Sequence, residues 1–151
     1  MKLSKNFTLE EFTKSDTAKL FDIKNYPNDE QIKNLQALAV NVLQPISDFF
    51  NVSIFINSGY RSKELNAKTG GSNTSHHCCN SGFAAADIHV HEVKMSSIFK
   101  YIQNNLSFCQ LIWEKGNDIA PDWIHVSYDR NGGNKKEVLK FDGKTYKKFK
   151  I

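Results

Sequence analysis

The spacing of apolar residues changes once along the chain, and this change constrains the fold more than any other feature of the sequence. Asn28-Asp29 is a helix start signal, and the apolar residues after it recur every three or four positions. This spacing predicts an amphipathic helix that runs to about Phe50 and bends at Pro45. Its apolar positions are Ile32, Leu35, Leu38, Val42, Ile46 and Phe49.

Beyond residue 50 the apolar residues stand in short runs that are typical of β-strands. Asp142-Gly143 predicts a hairpin turn between two of these runs. The predicted strands are 52–58, 85–90, 110–114, 123–128, 138–141 and 145–149.

Two shorter helices complete the prediction. One begins at Leu9, after the capping-box pattern T-L-E-E, and one is capped by Ser96 or Ser97. Because helices come first and strands mostly later, we expect an α+β fold with N-terminal helices and a small antiparallel β-sheet. A length of 151 residues fits one domain, 1–151.

Charge and cysteine content narrow the classes of function. The net charge of +4 is a mild basic excess, and the C-terminal lysines alternate with apolar residues, which is typical of a solvated strand face rather than a nucleic-acid surface. This charge would still favour an anionic substrate or a bacterial cell wall. Three cysteines, two of them adjacent, argue against a disulfide framework. The segment MKLSKNFTLEEF has no apolar signal-peptide core, so we expect no export signal and no membrane insertion.

Histidine and aspartate side chains form a candidate metal site around a long polar segment, 59–82. Catalytic zinc usually takes three such ligands and leaves one position open for water. A nearby carboxylate, Asp122 or Glu114, could then accept a proton. A histidine in a strand is, however, more often packed or solvated. The candidate ligands are His76, His77, Asp87, His89, His91 and His125.

The two adjacent cysteines offer a different chemistry. Either Cys78 or Cys79 could act as a nucleophile with His77, provided that a third group orients the pair. A structural zinc site made only of thiolates within this chain is excluded, because the third cysteine, Cys109, is the last one available.

Four motifs, in this order, resemble those of a known family, and the resemblance covers nearly the whole chain. The family comprises zinc D-Ala-D-Ala carboxypeptidases, D-Ala-D-Ala dipeptidases and phage L-alanyl-D-glutamate endolysin peptidases. The chain is most similar to its small phage and prophage-type branch. The motifs are S-G-Y-R-S at 58–62, S-H-H with A-A-D at 75–77 and 85–87, Q-L-I-W-E at 110–114, and W-I-H-V-S at 123–127.

The resemblance implies a role for each matching residue. His77, Asp87 and His125 would be the zinc ligands, and the fold would be that of the D-Ala-D-Ala peptidases and the Hedgehog signalling domain. Arg61 would lie beside the site and contact a substrate carboxylate or the scissile carbonyl oxygen. Ser75 would contact the bound peptide.

For the general base, the family pattern offers two positions in this chain. An acidic residue three before the last histidine corresponds to Asp122, which we expect to be the base. The glutamate of the Q-L-I-x-E strand corresponds to Glu114, the second candidate.

The chain departs from the family pattern at one place. The family aspartate follows the first ligand histidine by seven positions, whereas Asp87 follows His77 by ten. A loop can absorb such an insertion at little energetic cost. The motif S-x-H favours His77 over His76 as the first ligand, and His89 is expected to be structural or to support a ligand.

Together these features predict a zinc-dependent peptidase that cleaves peptidoglycan stem peptides, as a carboxypeptidase or an endolysin-type endopeptidase. We expect a monomer that binds no nucleic acid and acts on the cell wall, after release by another protein or as a phage lysin. Two alternatives remain: a non-catalytic wall-binding module on the same fold, and a cysteine-dependent amidase or peptidase.

Overall fold

The computed structural model describes all residues from 1 to 151 and has an α+β architecture, as the sequence predicts. None of its helices is both long and apolar enough to span a membrane. The helices are α1 (Leu9–Thr13), α2 (Asp16–Leu20), α3 (Asp29–Leu38), α4 (Gln44–Phe50), α5 (Lys63–Lys68) and α6 (Met95–Asn105). The strands are β1 (Lys2–Ser4), β2 (Phe7–Thr8), β3 (Phe55–Ser58), β4 (Phe83–His89), β5 (Gln110–Glu114), β6 (Trp123–Asp129), β7 (Glu137–Phe141) and β8 (Tyr146–Lys148).

The long amphipathic helix begins where its start signal predicts. The side chain of Asn28 accepts a hydrogen bond from the Gln31 N–H at 2.9 Å, and the Gln31 side chain accepts one from the Asn28 N–H at 2.8 Å. A π-helical turn, Ala39–Leu43, separates α3 from α4. Because Pro45 has no N–H to donate to the preceding turn, a change of hydrogen-bond pattern just before it is the expected response.

The main sheet has six strands in the order β3-β4-β6-β5-β7-β8. All neighbouring pairs are antiparallel except β5 and β7, which run parallel. The sheet is thus antiparallel as predicted, except at the pair of β5 and β7. After β6 the chain reverses and passes to the far side of β5, so β7 lies antiparallel to β6 in direction and parallel to β5.

Local sequence signals misplaced or missed some elements. Helix α6 begins at Met95 after Lys94, so Ser96 and Ser97 lie inside the helix and do not cap it. The two-stranded sheet of β1 and β2 and the short helix α2 have no counterpart in the sequence prediction. Helix α1 begins at Leu9 as predicted.

One face of the main sheet carries the hydrophobic core, and the other face is left for the functional site. Leu111, Trp113, Ile124 and Val126 are fully buried on the core face, against α3 and α6. Since successive side chains of a strand point to opposite faces, Ile112 and His125 lie on the other face. The alternation in β5 and β6 thus separates packing residues from candidate functional residues.

Candidate metal centre

Three side chains from different parts of the chain converge in a cleft of about 590 Å³ on the free face of the sheet. His77 lies in a 3₁₀ turn, Asp87 in β4 and His125 in β6. Asp87 and His125 are direct neighbours in the sheet register. The potential ligand atoms of all three side chains lie within 4.8 Å of one another, which is close enough for one metal ion.

Different ring nitrogens of the two histidines face the same carboxylate oxygen. The Nε2 atom of His77 lies 3.3 Å from Asp87 Oδ1, and the Nδ1 atom of His125 lies 3.1 Å from it. Both rings are buried, and their centroids are 5.1 Å apart. The aspartate therefore stands between two imidazole nitrogens that can both act as ligands.

The tautomer of His77 follows from its hydrogen bond to the backbone. Its Nδ1 atom lies 2.7 Å from the carbonyl oxygen of Gly59, and a carbonyl can only accept, so Nδ1 carries the proton. In the neutral ring, Nε2 then presents a lone pair to the carboxylate. Two lone pairs at 3.3 Å need a positive charge between them, which a proton or a metal ion supplies. This donor set fits Zn²⁺, and the Gly59 bond is the kind that orients a zinc-binding histidine.

The charge of Asp87 is stabilised by the same neighbours. Burial alone would raise the pKa of this carboxyl, but the charges of His77 and His125 and their hydrogen bonds outweigh it and hold the pKa well below its ordinary value. Asp87 is therefore ionised at neutral pH and available as an anionic ligand.

The extra residues between His77 and Asp87 are absorbed in a tight reversal of the chain. Cys79, Ser81 and Gly82 adopt left-handed backbone conformations, with φ of 58°, 56° and 89°. The reversal brings the chain into β4 at Phe83, so that His77 and Asp87 still meet. The longer spacing is thus accommodated in the loop, and the three side chains still converge.

The adjacent cysteines are buried thiols outside the His-Asp-His cluster. Burial raises the pKa of Cys79 to about 12, and burial likewise raises the pKa of Cys78. A thiol is nucleophilic only when ionised, so neither residue is activated for catalysis at neutral pH. All three cysteines of the chain are unpaired.

The two candidate bases occupy different environments. Glu114 is buried at the end of β5 and lines the cleft together with the three possible ligands. Asp122, which the family pattern favours as the base, is exposed and is absent from the lining of the cleft. Asp122 lies just before β6 begins at Trp123, and its backbone N–H donates to the Glu114 carbonyl at 2.9 Å.

Arg61 and Ser75 both line the cleft, as the resemblance implies. The Arg61 N–H donates to the His77 carbonyl at 2.8 Å, and the guanidinium Nη1 donates to Thr69 Oγ1 at 3.1 Å. Ser75 Oγ accepts a hydrogen bond from the His77 N–H at 3.2 Å and so shapes the 3₁₀ turn. Ser75 therefore has a local structural role in addition to its place beside the cleft.

The remaining histidines lie outside the cluster. His76 lines the cleft, stacks on Phe83 with a centroid distance of 4.2 Å, and shares a hydrogen bond with Ser127 Oγ at 2.9 Å. His89 and His91 contact each other, with 3.3 Å between ring nitrogens, and do not line the cleft. His77 rather than His76 thus belongs to the possible metal site.

Sequence reasoning missed three aromatic residues of the cleft, Trp123, Phe141 and Tyr146. For Trp123 a signal existed, since it stands two residues before His125 in the same strand. For Phe141 and Tyr146 no local signal existed, because their place in the cleft depends on the parallel pairing of β7 with β5.

Comparison with known proteins identifies the family. A family model described as Peptidase M15 matches residues 5–127, which include every residue predicted from the sequence to serve the site. A search of curated proteins finds no match. With its match over most of the chain and its His-Asp-His cluster, the protein belongs to the peptidase M15 family, a family of zinc metallopeptidases.

Proposed function

We propose that this protein is a zinc-dependent hydrolase of peptide bonds in peptidoglycan stem peptides. The observation that carries the proposal is the convergence of His77, Asp87 and His125 in an open cleft with Glu114 beside them. Three ligands with room for a fourth are typical of a catalytic rather than a structural zinc site. When bound, zinc would polarise the scissile carbonyl and lower the pKa of water.

Glu114 is the general base in this proposal. Burial raises the pKa of Glu114; the charge of His125 opposes this shift, and the charge of Asp87 adds to it. A carboxylate with a raised pKa is a better proton acceptor than an ordinary glutamate and can later return the proton to the leaving amine. Asp122, exposed and absent from the cleft lining, is not assigned this role.

Positive side chains support an anionic substrate. Arg61 and Lys135 both line the cleft. A guanidinium can bind a carboxylate through two parallel hydrogen bonds, so Arg61 is assigned to a carboxylate of the stem peptide or to the oxygen of the scissile carbonyl. Ser75, which also lines the cleft, is assigned to the peptide backbone.

The proposal treats residues 1–151 as one peptidase domain that works as a monomer. The charge of +4 suits an anionic wall polymer. The protein would act on the cell wall, after release by another protein or as a phage lysin.

Digestion of purified muropeptides, followed by mass spectrometry, tests the proposal and identifies the bond. Loss of a terminal D-Ala would indicate a carboxypeptidase, and cleavage between L-Ala and D-Glu an endopeptidase. A zinc chelator should abolish cleavage and added Zn²⁺ restore it, whereas a thiol-blocking reagent should have no effect. Activity that survives chelation and is lost on thiol blocking would refute the zinc mechanism, and wall binding without cleavage would favour a non-catalytic module.

Two amide variants test the assignment of the base. Glu114→Gln should lower kcat by about 10²–10⁴-fold without loss of bound zinc, because only proton transfer is removed. Asp122→Asn is the matched control and should retain wild-type activity. An inactive Asp122→Asn together with an active Glu114→Gln would reverse the assignment.

A further inference from the structure

The C-terminal hairpin contributes to the cleft although it lies outside the part of the chain that matches the family. The match ends at residue 127, whereas β7 and β8 follow it. Phe141, at the end of β7, and Tyr146, at the start of β8, both line the cleft. The hairpin therefore adds a wall to the cleft from residues outside the matched part of the chain.

The sheet register fixes where this wall lies. Trp123, Glu114, Phe141 and Tyr146 are successive neighbours across four strands, in one transverse row. The row of Asp87, His125 and Ile112 is two residues away on the same face. Two residues of a strand span about 7 Å, so the aromatic row stands beside the metal cluster on the Glu114 side.

The wall is a preformed apolar surface. The rings of Phe141 and Tyr146 are stacked, with centroids 4.4 Å apart and an interplanar angle of 26°. Tyr146 is 57% exposed, so most of its surface is free to meet a ligand. The ammonium of Lys115 already lies over the Trp123 ring, 5.4 Å from its centroid. The stacked pair is thus the part of the row with free ring surface.

The hairpin is held firmly enough to position this surface. Asp142 Oδ1 accepts hydrogen bonds from the N–H groups of Lys144 and Thr145, both at 2.8 Å, which fixes the turn. Just after β8, Phe149 packs edge-on against Trp113 in the core, with centroids 5.4 Å apart. A rigid aromatic surface costs little conformational entropy when it binds a ligand.

The two ends of the cleft, taken along the strand direction, carry charges of opposite sign. Lys135 lines the cleft two residues before Glu137, which pairs with Gln110 at the end of β5 opposite Glu114, and its charge reaches His76, so it can attract an anionic group there. On the aromatic side, Glu114 would repel a carboxylate of the substrate, and Lys115, whose ammonium lies over Trp123, is absent from the cleft lining. An uncharged apolar substituent is therefore the chemistry that this side accepts best.

We propose that Phe141 and Tyr146 form a substrate subsite for an apolar residue next to the scissile bond, with Tyr146 as the specificity-determining residue. The inference rests on the proposed function, because it assigns a role in recognising that substrate. The Tyr146 ring, rather than its hydroxyl, makes the contact. Tyr146 lies within electrostatic range of Glu114 and Asp87: its partial burial raises the pKa of Tyr146, and these two carboxylates add to the shift.

Synthetic stem-peptide analogues test the subsite. One position beside the scissile bond is varied among alanine, leucine, serine and aspartate, first on one side and then on the other. For the alanine and leucine peptides, Tyr146→Ala should lower kcat/KM about tenfold, mainly through KM, while Tyr146→Phe stays within about twofold of wild type. The preference for apolar residues should shrink on one side of the bond only. Tyr26→Ala, at another exposed tyrosine outside the cleft, is the control and should match wild type.

Binding of the same peptides to the zinc-loaded Glu114→Gln protein, with and without Tyr146→Ala, gives a readout that does not require cleavage. Weaker binding of only the apolar peptides in the double variant supports the subsite even where no bond is cut, and in that case the peptidase proposal alone fails. Equal binding and equal kcat/KM with and without the Tyr146 ring would overturn the subsite. A loss of affinity and of kcat/KM that is the same for all four peptides would also overturn the subsite. A Tyr146→Phe variant as impaired as Tyr146→Ala would overturn it as well.

Discussion

Glu114 is a buried carboxyl group next to a second carboxylate, and this environment governs its protonation. Burial raises the pKa of Glu114 from its usual value of 4.5, the neighbouring His125 lowers it, and Asp87 raises it. Bound zinc would add a positive charge that favours the ionised form. The effect of Glu114 on stability is therefore largest when the metal is absent.

In the metal-free protein, Glu114→Gln should be increasingly stabilising as the pH rises. The folded state holds the Glu114 proton more tightly than the unfolded state, so wild type loses stability as the pH rises from about 4.5 through the higher pKa of the folded state. Glutamine does not titrate and escapes this loss. Urea unfolding of both proteins with a chelator, from pH 4 to pH 8, measures the difference. A difference that stays constant over this range, or that shrinks with rising pH, would contradict the shift.

At the scale of residues, the sequence predicts which types of side chain serve the candidate site better than it predicts how those side chains are oriented. The candidate ligands could be predicted because histidine and aspartate in this order are distinctive. Which nitrogen of His77 faces the centre could not, since it depends on the carbonyl of Gly59, eighteen positions earlier. The family pattern favours Asp122 as the base, whereas Glu114 is the carboxyl that lines the cleft, and the choice between them stays a prediction.

At the scale of elements, Asn25 connects the N-terminal helices to the segment that carries Arg61. Its side-chain amide donates to the carbonyls of Thr13 at 2.9 Å and Tyr60 at 3.0 Å, and its oxygen accepts from the Ser62 N–H at 2.8 Å. The residue is buried, so water cannot easily replace these partners. One side chain thus satisfies three backbone groups of two segments.

Asn25→Ala should lower the free energy of unfolding by about 1–3 kcal/mol, because it leaves buried backbone groups without partners. It should also weaken zinc binding, since Gly59, which orients His77, belongs to the same segment. Urea unfolding and a zinc competition assay measure the two effects. Asn41→Ala is the matched control: Asn41 is exposed and bonds only to the Ala37 carbonyl, so its loss should cost less than about 0.5 kcal/mol. Equal losses of unfolding free energy and of zinc affinity in the two variants would show that Asn25 contributes no more than an exposed asparagine.

Elements with local signals were predicted well, and those with distant partners were not. The starts of α1 and α3 are fixed by capping hydrogen bonds between residues within four positions of each other, so the cap residues alone predict them. The pairing of β5 with β7 joins residues 27 positions apart and has no local signature. The aromatic wall of the cleft depends on this pairing and was missed for the same reason.

At the scale of the whole molecule, the metal centre joins three segments that are far apart in the chain. His77 belongs to the loop after α5, Asp87 to β4, and His125 to β6, which lies beside β4 at the middle of the sheet. In the unfolded chain these side chains are not held together. Zinc held by these residues would therefore bind the folded protein preferentially, and its binding free energy would add to the stability of the fold.

Zinc removal should lower the melting temperature of the wild-type protein. At a free zinc concentration 100 times the dissociation constant, preferential binding to the folded state adds about 2.7 kcal/mol. For a domain of this size, that free energy corresponds to a shift of about 5–10 °C. Thermal unfolding with and without a chelator measures it, and Asp87→Asn, which removes the anionic ligand, should show a much smaller shift. Asp118→Asn, at a carboxylate on the surface that pairs with Lys140, should behave as wild type. A shift of the same size in Asp87→Asn would mean that the stabilising ion binds away from this centre.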